Sequence, residues 1–205
     1  ATAYMDSIPV VAITGNVTRN LLGLDSFQEV DITGITMPVT KHNYIVKDIR
    51  DLASILREAF QIASSGRKGP VLVDIPKDIT AQTCAYEKQP PLPLAEYGLP
   101  PQERLAQALE LLNRAERPFV YCGGGVVLSE ASEALSAFVE KLDAPVSCSL
   151  MCQGGFHQAS PRYMGMLGMH GTKTAALDIQ NCDLFIAGGT RFSDRVLCNA
   201  GLFAR

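Results

Sequence analysis

The sequence is poor in histidine, a residue that many metal centres and most nucleophilic triads require. Its 205 residues include no tryptophan and only three histidines, and none of these histidines stands at ligand spacing from a cysteine. His170 has no nucleophile or acid that can be named as its partner, so a positional, hydrogen-bonded histidine is the simpler interpretation. We therefore predict neither catalytic residues nor metal ligands in this chain.

Long apolar runs and an excess of either charge are also missing. The longest apolar stretches, such as residues 8–13 and 184–187, are far too short to cross a bilayer. A formal net charge of −3 gives no electrostatic reason to expect nucleic acid or an anionic membrane as a partner. No basic segment precedes an apolar stretch with a cleavage site, so we expect a cytoplasmic globular protein. Its 47% hydrophobic content is enough for a sizeable core.

The six cysteines form no C-x-x-C pair and are scattered along the sequence. Cys148 and Cys152 are four residues apart, but Pro145 and the β-formers nearby favour a strand and a loop over one face of a helix. A disulfide framework or a metal site is the alternative. We predict reduced thiols that serve as small hydrophobic residues, as is usual in cytoplasmic proteins.

Apolar runs alternate with helical patterns, which predicts a parallel α/β architecture. Residues 8–14 and 71–75 are predicted as strands, the first of them buried on both faces because it is continuously apolar. Residues 48–65 have helical spacing. Five of the 12 prolines lie at residues 80–101 and predict an extended interdomain linker at 81–100, for which a long surface loop is the alternative.

After the proline-rich segment the α/β alternation resumes and predicts a Rossmann-like parallel sheet. The predicted helices are residues 101–114, 129–142 and 171–179, and the predicted strands are residues 118–122, 145–150 and 183–187.

Three glycine-bearing loops follow strands in this second half. The turn at residues 123–125 is a weak signal alone, because the full G-x-G-x-x-G and a ribose-binding acid are missing. Loops at 166–171 and 188–195 are expected at the same edge of the sheet, where open α/β sheets bind dinucleotides. Arg191 and Arg195 could hold a pyrophosphate. A surface Arg–Asp pair with Asp194 is the alternative.

Several segments resemble the large subunit of acetolactate synthase, also called acetohydroxyacid synthase. ITGNVTRNLLGLDSFQ at 13–28, TKHNY at 40–44 and SGRKGPVLVDIPKD at 65–78 are similar to the pyrimidine-binding domain. GMLGMHGT at 165–172 and GTRFSDRV at 189–196 are similar to the central domain of the FAD-containing biosynthetic type. The resemblance implies the C-terminal part of a pyrimidine-binding domain at 1–80, a linker at 81–100 and a truncated FAD-binding-like domain at 101–205.

The resemblance also implies an activity that the residues themselves do not show. Members of the family use thiamine diphosphate and Mg2+ to condense two pyruvates, or pyruvate and 2-oxobutyrate, with release of CO2 in branched-chain amino-acid biosynthesis. FAD is structural in them. The expected assembly is a homodimer or tetramer with a regulatory small subunit.

The family's motifs assign site residues in both halves of the chain. Phe27, Gln28 and Lys41 would face the substrate channel, although solvated loop residues are the alternative. Residues that would line the flavin are Gly123, Gly124, Gly125, Ser149, Leu150, Met151, Leu167, Gly168, Met169, His170, Gly171, Gly189, Thr190, Arg191, Asp194, Arg195 and Val196. Met37, Thr18 and Cys152 depart from the family, which usually has Arg, Pro and Gly at these positions.

Two elements of the family's chemistry are not found in this sequence. The glutamate that activates thiamine is expected before Ala1, and the metal-binding G-D-G…N segment after Arg205. Because both ends also look cut, we expect an internal fragment that is inactive alone and binds no cofactor stably. A stand-alone FAD- or NAD-binding module is the alternative, whereas a Rossmann-type dehydrogenase would need the complete fingerprint.

Overall fold

The structure, a computed structural model, describes residues 1–93 and 97–203, with only the backbone of Leu202. Residues 94–96 of the predicted linker and residues 204–205 at the end of the predicted second domain lie outside the described residues. The chain divides into two compact units, Ala1–Gly98 and Leu99–Arg205.

The first unit is built on a three-stranded parallel sheet. Its elements are α1 (Thr2–Met5), β1 (Val11–Asn16), α2 (Ile32–Thr36), β2 (His42–Ile45), α3 (Leu52–Ser64), β3 (Val71–Pro76) and α4 (Lys77–Thr80). The strand order is β1-β3-β2, so the almost completely buried β3 is central. Ala59 and Ala63 of the amphipathic α3 pack with Val71 and Val73 of β3 in the core.

The prediction that the first strand is buried on both faces is wrong. β1 begins at Val11, and Ile13 is 60% exposed. The physical reason is topology, because β1 pairs only with β3 and forms an edge of the described sheet. A continuous apolar run cannot by itself distinguish an edge strand from a central one.

A buried carboxylate joins the edge strand to the centre of this sheet. Asp74 of β3 is fully buried and accepts hydrogen bonds from Thr14 Oγ1 at 2.7 Å and Asn16 Nδ2 at 2.6 Å. Both donors lie on β1, and the register places Thr14 directly opposite Asp74. The charge is therefore buried with two side-chain donors, as burial of a carboxylate requires.

The second unit contains a four-stranded parallel sheet with strand order β6-β5-β4-β7. Its elements are α5 (Gln102–Arg114), β4 (Pro118–Cys122), α6 (Gly124–Leu128), α7 (Ser132–Leu142), β5 (Val146–Cys148), β6 (Tyr163–Met166), α8 (Lys173–Asn181), β7 (Leu184–Gly188) and α9 (Asp194–Leu197). In chain order the strands read 3-2-1-4, which is the order of a Rossmann fold. The predicted α/β class and Rossmann-like second half are confirmed.

Alternate residues of β4 divide the core of this unit between the two faces of the sheet. Val120 and Cys122 pack on one face with Val139 and Val146. Phe119 and Tyr121 pack on the other face, against α8. This alternation is the period of two that a strand imposes on its side chains.

Two features of the second unit differ from the predictions. β6 was not predicted, so the loop at 166–171 follows β6 rather than the second predicted strand. The helix predicted at 129–142 is the shorter α7, and the short helix α6, which was not predicted, precedes it; the two are separated at Glu130, whose φ is +57°. Ser129 lies at the C-terminal end of α6 and caps it, because its hydroxyl donates to Gly125 O at 2.7 Å.

The predicted helix α5 forms, but its apolar side is exposed. Leu105 and Leu109 are 48% and 57% exposed, and α5 has no buried residue.

Among the residues that the structure describes, no helix has both the length and the apolar character to cross a membrane.

All six cysteines are free thiols. Cys122, Cys148 and Cys152 are buried in the apolar core of the second unit, as predicted for small hydrophobic residues. Although the cysteines are scattered along the sequence, the Sγ atoms of these three lie within 4.8 Å of one another.

Candidate cofactor site

The predicted flavin residues all lie in the segments that directly follow strands of the second sheet. Because β4, β5, β6 and β7 are parallel, the segments after their carboxyl ends meet at one edge of the sheet. These segments are residues 123–125, 149–151, 167–171 and 189–196. The following contacts link all four.

The loops after β4 and β7 pack backbone against backbone. The amides of Gly123 and Gly125 donate to Gly188 O at 2.9 Å and Gly189 O at 2.8 Å. A Cβ at Gly123 would lie 2.4 Å from Thr190 Cα. The glycines are thus required by the approach of the two loops, and two of the three amides that could have faced a phosphate bind protein carbonyls instead.

The loop after β5 lies against the start of α6. Ser149 N donates to Cys122 O at 2.8 Å, and a Cβ at Gly124 would lie 2.9 Å from Met151 Cβ. Leu150 and Met151 are exposed in a short 3-10 turn that ends at the buried Cys152. The turn therefore presents two apolar side chains to solvent beside the glycine loop.

The loop after β6 contacts the loop after β7. Gly168 has a φ of +111°, and a Cβ there would lie 2.6 Å from Arg195 O. The amide of Met169 donates to the same carbonyl at 2.8 Å. Leu167 is buried, whereas His170 is exposed and its ring forms no hydrogen bond among the described residues, contrary to the expectation for it. Gly168 is therefore required by both its backbone conformation and the close approach.

The charged residues of the last loop are exposed to solvent. Arg195 Nε lies 3.7 Å from Asp194 Oδ2, and both side chains are largely exposed. Arg195 Nη1 also lies 3.5 Å from Met169 Sδ. The Arg–Asp pair considered from the sequence is thus present, and such an exposed pair adds little to stability. The Arg191 side chain is exposed as well, so both guanidinium groups are available to an anion.

Tyr121, the fourth residue of β4, is a further residue at this edge that was not predicted from the sequence. Its side chain is fully buried, and its hydroxyl has no hydrogen-bond partner within the described part of the chain. Burial raises the pKa of Tyr121, and the neighbouring hydroxyls of Thr190 and Ser149 act in the opposite direction. An unsatisfied buried hydroxyl is costly, so a ligand oxygen or nitrogen that reached it would be stabilised. The polar edge therefore fits a ligand such as FAD.

In the first unit, Phe27 and Gln28 lie in an exposed loop. Phe27 is 87% exposed, and Gln28 has a φ of +60°. Glu29 orders this loop by accepting hydrogen bonds from the amides of Gly23 and Ser26. An exposed aromatic ring on an ordered loop is compatible with a binding surface, but the substrate-channel role of both residues stays a prediction.

Lys41 directly precedes β2, and its side chain reaches the C-terminal end of α3. Its ammonium group donates to Ile62 O and, at 2.7 Å, to Ser65 O, and burial lowers the pKa of Lys41. These carbonyls are among those that a helix end leaves without intrahelical partners. Lys41 therefore has a capping role, and no hydrogen bond among the described residues joins it to Phe27 or Gln28.

We expect Lys41→Met to lower the free energy of unfolding of the first unit by about 1–2 kcal/mol, because two charge-assisted hydrogen bonds are lost. Urea unfolding followed by circular dichroism measures the change. Lys47→Met is the matched control, since Lys47 is exposed at the end of β2 and its removal should change stability by less than about 0.5 kcal/mol. Equal stabilities of the two variants would argue against the cap.

Comparisons with known proteins agree with this architecture. Residues 105–205 match the family model "Thiamine pyrophosphate enzyme, central domain". A solved structure from Mycobacterium smegmatis, provisionally assigned as a thiamin diphosphate-dependent enzyme, is similar with a TM-score of 0.71 and 27% identity over 90% of this chain and 36% of that one. The second unit is thus similar to the central domain of thiamine pyrophosphate enzymes.

Curated relatives identify the family more specifically than the family model does. The acetolactate synthase large subunit of Mycobacterium tuberculosis is 48% identical over 207 residues, covering 100% of this chain and 34% of the relative. The isozyme 2 large subunit of Escherichia coli is 45% identical, covering 100% of this chain and 37% of the relative. The chain belongs to the acetolactate synthase large-subunit family, and it spans about a third of the length of these relatives.

Proposed function

We propose that this chain provides the flavin-binding part of an acetolactate synthase large subunit. In this proposal residues 101–205 hold FAD, residues 1–80 belong to the pyrimidine-binding domain and residues 81–100 link them. The observation that supports it most is the edge of the second sheet, where four segments contact one another and the buried hydroxyl of Tyr121 has no partner among the described residues. Dinucleotides usually bind at the carboxyl edge of a Rossmann-like sheet, where such segments meet.

Each group at this edge has a distinct role in the proposal. The exposed guanidinium groups of Arg191 and Arg195 bind the pyrophosphate of FAD. Ser149 and Thr190 present hydroxyls beside Tyr121, and the exposed Leu150 and Met151 cover an apolar part of the flavin. FAD is structural here, so these residues bind and orient it without proton or electron transfer.

The reaction proposed for the whole protein joins two 2-oxo acids. Thiamine diphosphate, bound with Mg2+, supplies the decarboxylation of pyruvate and the transfer of the remaining unit to pyruvate or 2-oxobutyrate. We assign no residue of this chain to the metal. Phe27, Gln28 and Lys41 are proposed to face the substrate channel, and a homodimer or tetramer in the cytoplasm, with a regulatory small subunit, is the proposed assembly.

A segment exchange tests the proposal. This chain would replace the corresponding residues of the Escherichia coli isozyme 2 large subunit, with which it aligns over its full length. We expect the hybrid to copurify with FAD and to form acetolactate from pyruvate. Arg191→Ala combined with Arg195→Ala should weaken FAD binding by at least about tenfold, since each removes a charge-assisted hydrogen bond to phosphate. Flavin fluorescence after dialysis and acetolactate formation are the two measurements.

Arg104→Ala is the control for the two arginines, because Arg104 is exposed on α5 and should leave FAD binding unchanged. Equal FAD affinity in the double-arginine variant would contradict the flavin assignment. A hybrid that binds FAD but forms no acetolactate would contradict the proposed activity. Binding of NAD in preference to FAD by the chain itself would favour the stand-alone dinucleotide module.

A further inference from the structure

Three thiols from separate elements meet in the core of the second unit. Cys122 is the last residue of β4 and Cys148 the last residue of β5, and the parallel register places them opposite each other. Their Sγ atoms are 3.3 Å apart. The 3-10 turn Leu150–Cys152 brings Cys152 back over the strand ends, so that all three Sγ atoms lie within 4.8 Å of one another.

These spacings are close to those of a metal–thiolate site. With a metal–sulfur distance of about 2.3 Å, sulfur atoms around a three-coordinate ion are about 4 Å apart. The Cys122 and Cys148 sulfurs are 3.3 Å apart, and all three sulfurs lie within 4.8 Å of one another. Small rotations about the Cα–Cβ bonds are therefore enough to place one ion between the three sulfurs.

The residues around the three thiols favour a soft metal ion that binds three ligands. Among the described residues, no histidine, aspartate or glutamate joins the three cysteines as a ligand group. The side chains around them, including Val126, Val139 and Phe156, are apolar. Structural zinc sites almost always have four ligands, whereas thiolates also select Cu(I), an ion that accepts three-coordinate sites.

We propose that Cys122, Cys148 and Cys152 form a three-sulfur binding site for Cu(I). Each thiol that becomes a thiolate ligand releases its proton to solvent, and copper remains Cu(I), so no electrons are exchanged. The ion enters through the turn at Leu150 and Met151, whose side chains are 71% and 44% exposed while the thiols beneath them are buried. The site does not depend on FAD binding, although Met151 links the turn to Gly124 in the candidate cofactor site.

The test is anaerobic titration of the chain with Cu(I) against a chromophoric Cu(I) chelator. The parent for this experiment carries Cys84→Ser and Cys198→Ser, because these exposed thiols would otherwise bind copper at the surface. We expect one Cu(I) per chain, three sulfur ligands by X-ray absorption and a higher melting temperature with copper than without. Cys152→Ala should weaken Cu(I) binding by at least about 100-fold, because it removes one of three ligands. Loss of a residue that only supports a ligand already lowers metal affinity by about 10- to 100-fold.

Cys182→Ala is the matched control, because Cys182 is half-buried in the same unit but outside the cluster, and we expect unchanged affinity. Circular dichroism of the copper-free variants checks their folding, and Cys148→Ala is a second variant on a different element. Absence of retained copper in the folded parent, or equal affinity in the folded Cys152→Ala variant, would overturn the proposal.

Discussion

Gly123→Ala is expected to destabilise the second unit by about 3 kcal/mol or more, because the new Cβ has no space. It would lie 2.4 Å from Thr190 Cα and 2.5 Å from Gly189 O, and both are backbone atoms that cannot rotate away. The loops after β4 and β7 would have to separate, and the hydrogen bonds from Gly123 N and Gly125 N to the second loop would be lost. Denaturant unfolding followed by far-ultraviolet circular dichroism measures the change.

Gly188→Ala is the matched control, since Gly188 is the last residue of β7, immediately before the same loop. A Cβ there meets no atom within 4 Å, and its φ does not require glycine. We expect a change of less than about 0.5 kcal/mol, or a slight stabilisation from the smaller entropy of the unfolded chain. If Gly123→Ala were as stable as Gly188→Ala, the glycine would not be needed for loop packing, and close approach of a cofactor would become the better explanation.

The strands that the sequence predicted well are those whose signal is local. The bounds of β4 match the predicted residues 118–122, because an apolar run is bounded there by Pro118 and the glycine turn. The sequence missed β6, which has four residues and contains Gly165 with a φ of +93°. Glycine at such a φ is typical of a turn or bulge, so only pairing with β5 reveals the strand.

In the candidate site, too, the features that neighbouring residues determine could be predicted, and those that depend on contacts between distant residues could not. The loops with Gly123, Gly168 and Gly189 could be placed at one edge because parallel strands end together. The sequence could not show that the glycines are needed for contacts between loops, since those contacts join residues far apart in the chain. Tyr121 could have been considered as the residue that precedes the last residue of a predicted strand, but its missing hydrogen bond is a property of the packed core.

The thiol cluster is the clearest example of information that is absent from sequence spacing. Cys122 and Cys148 are 26 residues apart, and only the register of β4 against β5 places their side chains together. Cys152 joins them because the chain turns immediately after β5. Cys148 and Cys152 lie on a strand and the turn after it, as predicted, and not on one face of a helix.

Asp74→Ala is expected to destabilise the first unit by about 2–4 kcal/mol, because two partners lose a buried acceptor. Thr14 Oγ1 and Asn16 Nδ2 both donate to the Asp74 carboxylate, which is fully buried between the centre of the sheet and its edge strand. Without it the two donors on β1 are left unsatisfied, and the pairing of β1 with β3 weakens. The free energy of unfolding measures this loss, and hydrogen exchange at the amides of β1 locates it.

A double-mutant cycle separates this coupling from the cost of a simple cavity. Asn16→Ala removes one donor, so the double variant Asp74→Ala with Asn16→Ala should be more stable than the sum of the single changes predicts, by about 1 kcal/mol or more. Asp51→Ala, an exposed carboxylate just before α3, should combine additively with Asp74→Ala. Additivity in both cycles would mean that the carboxylate fills space without tying β1 to β3. Coupling in the first cycle alone would establish Asp74 as the link between these two strands.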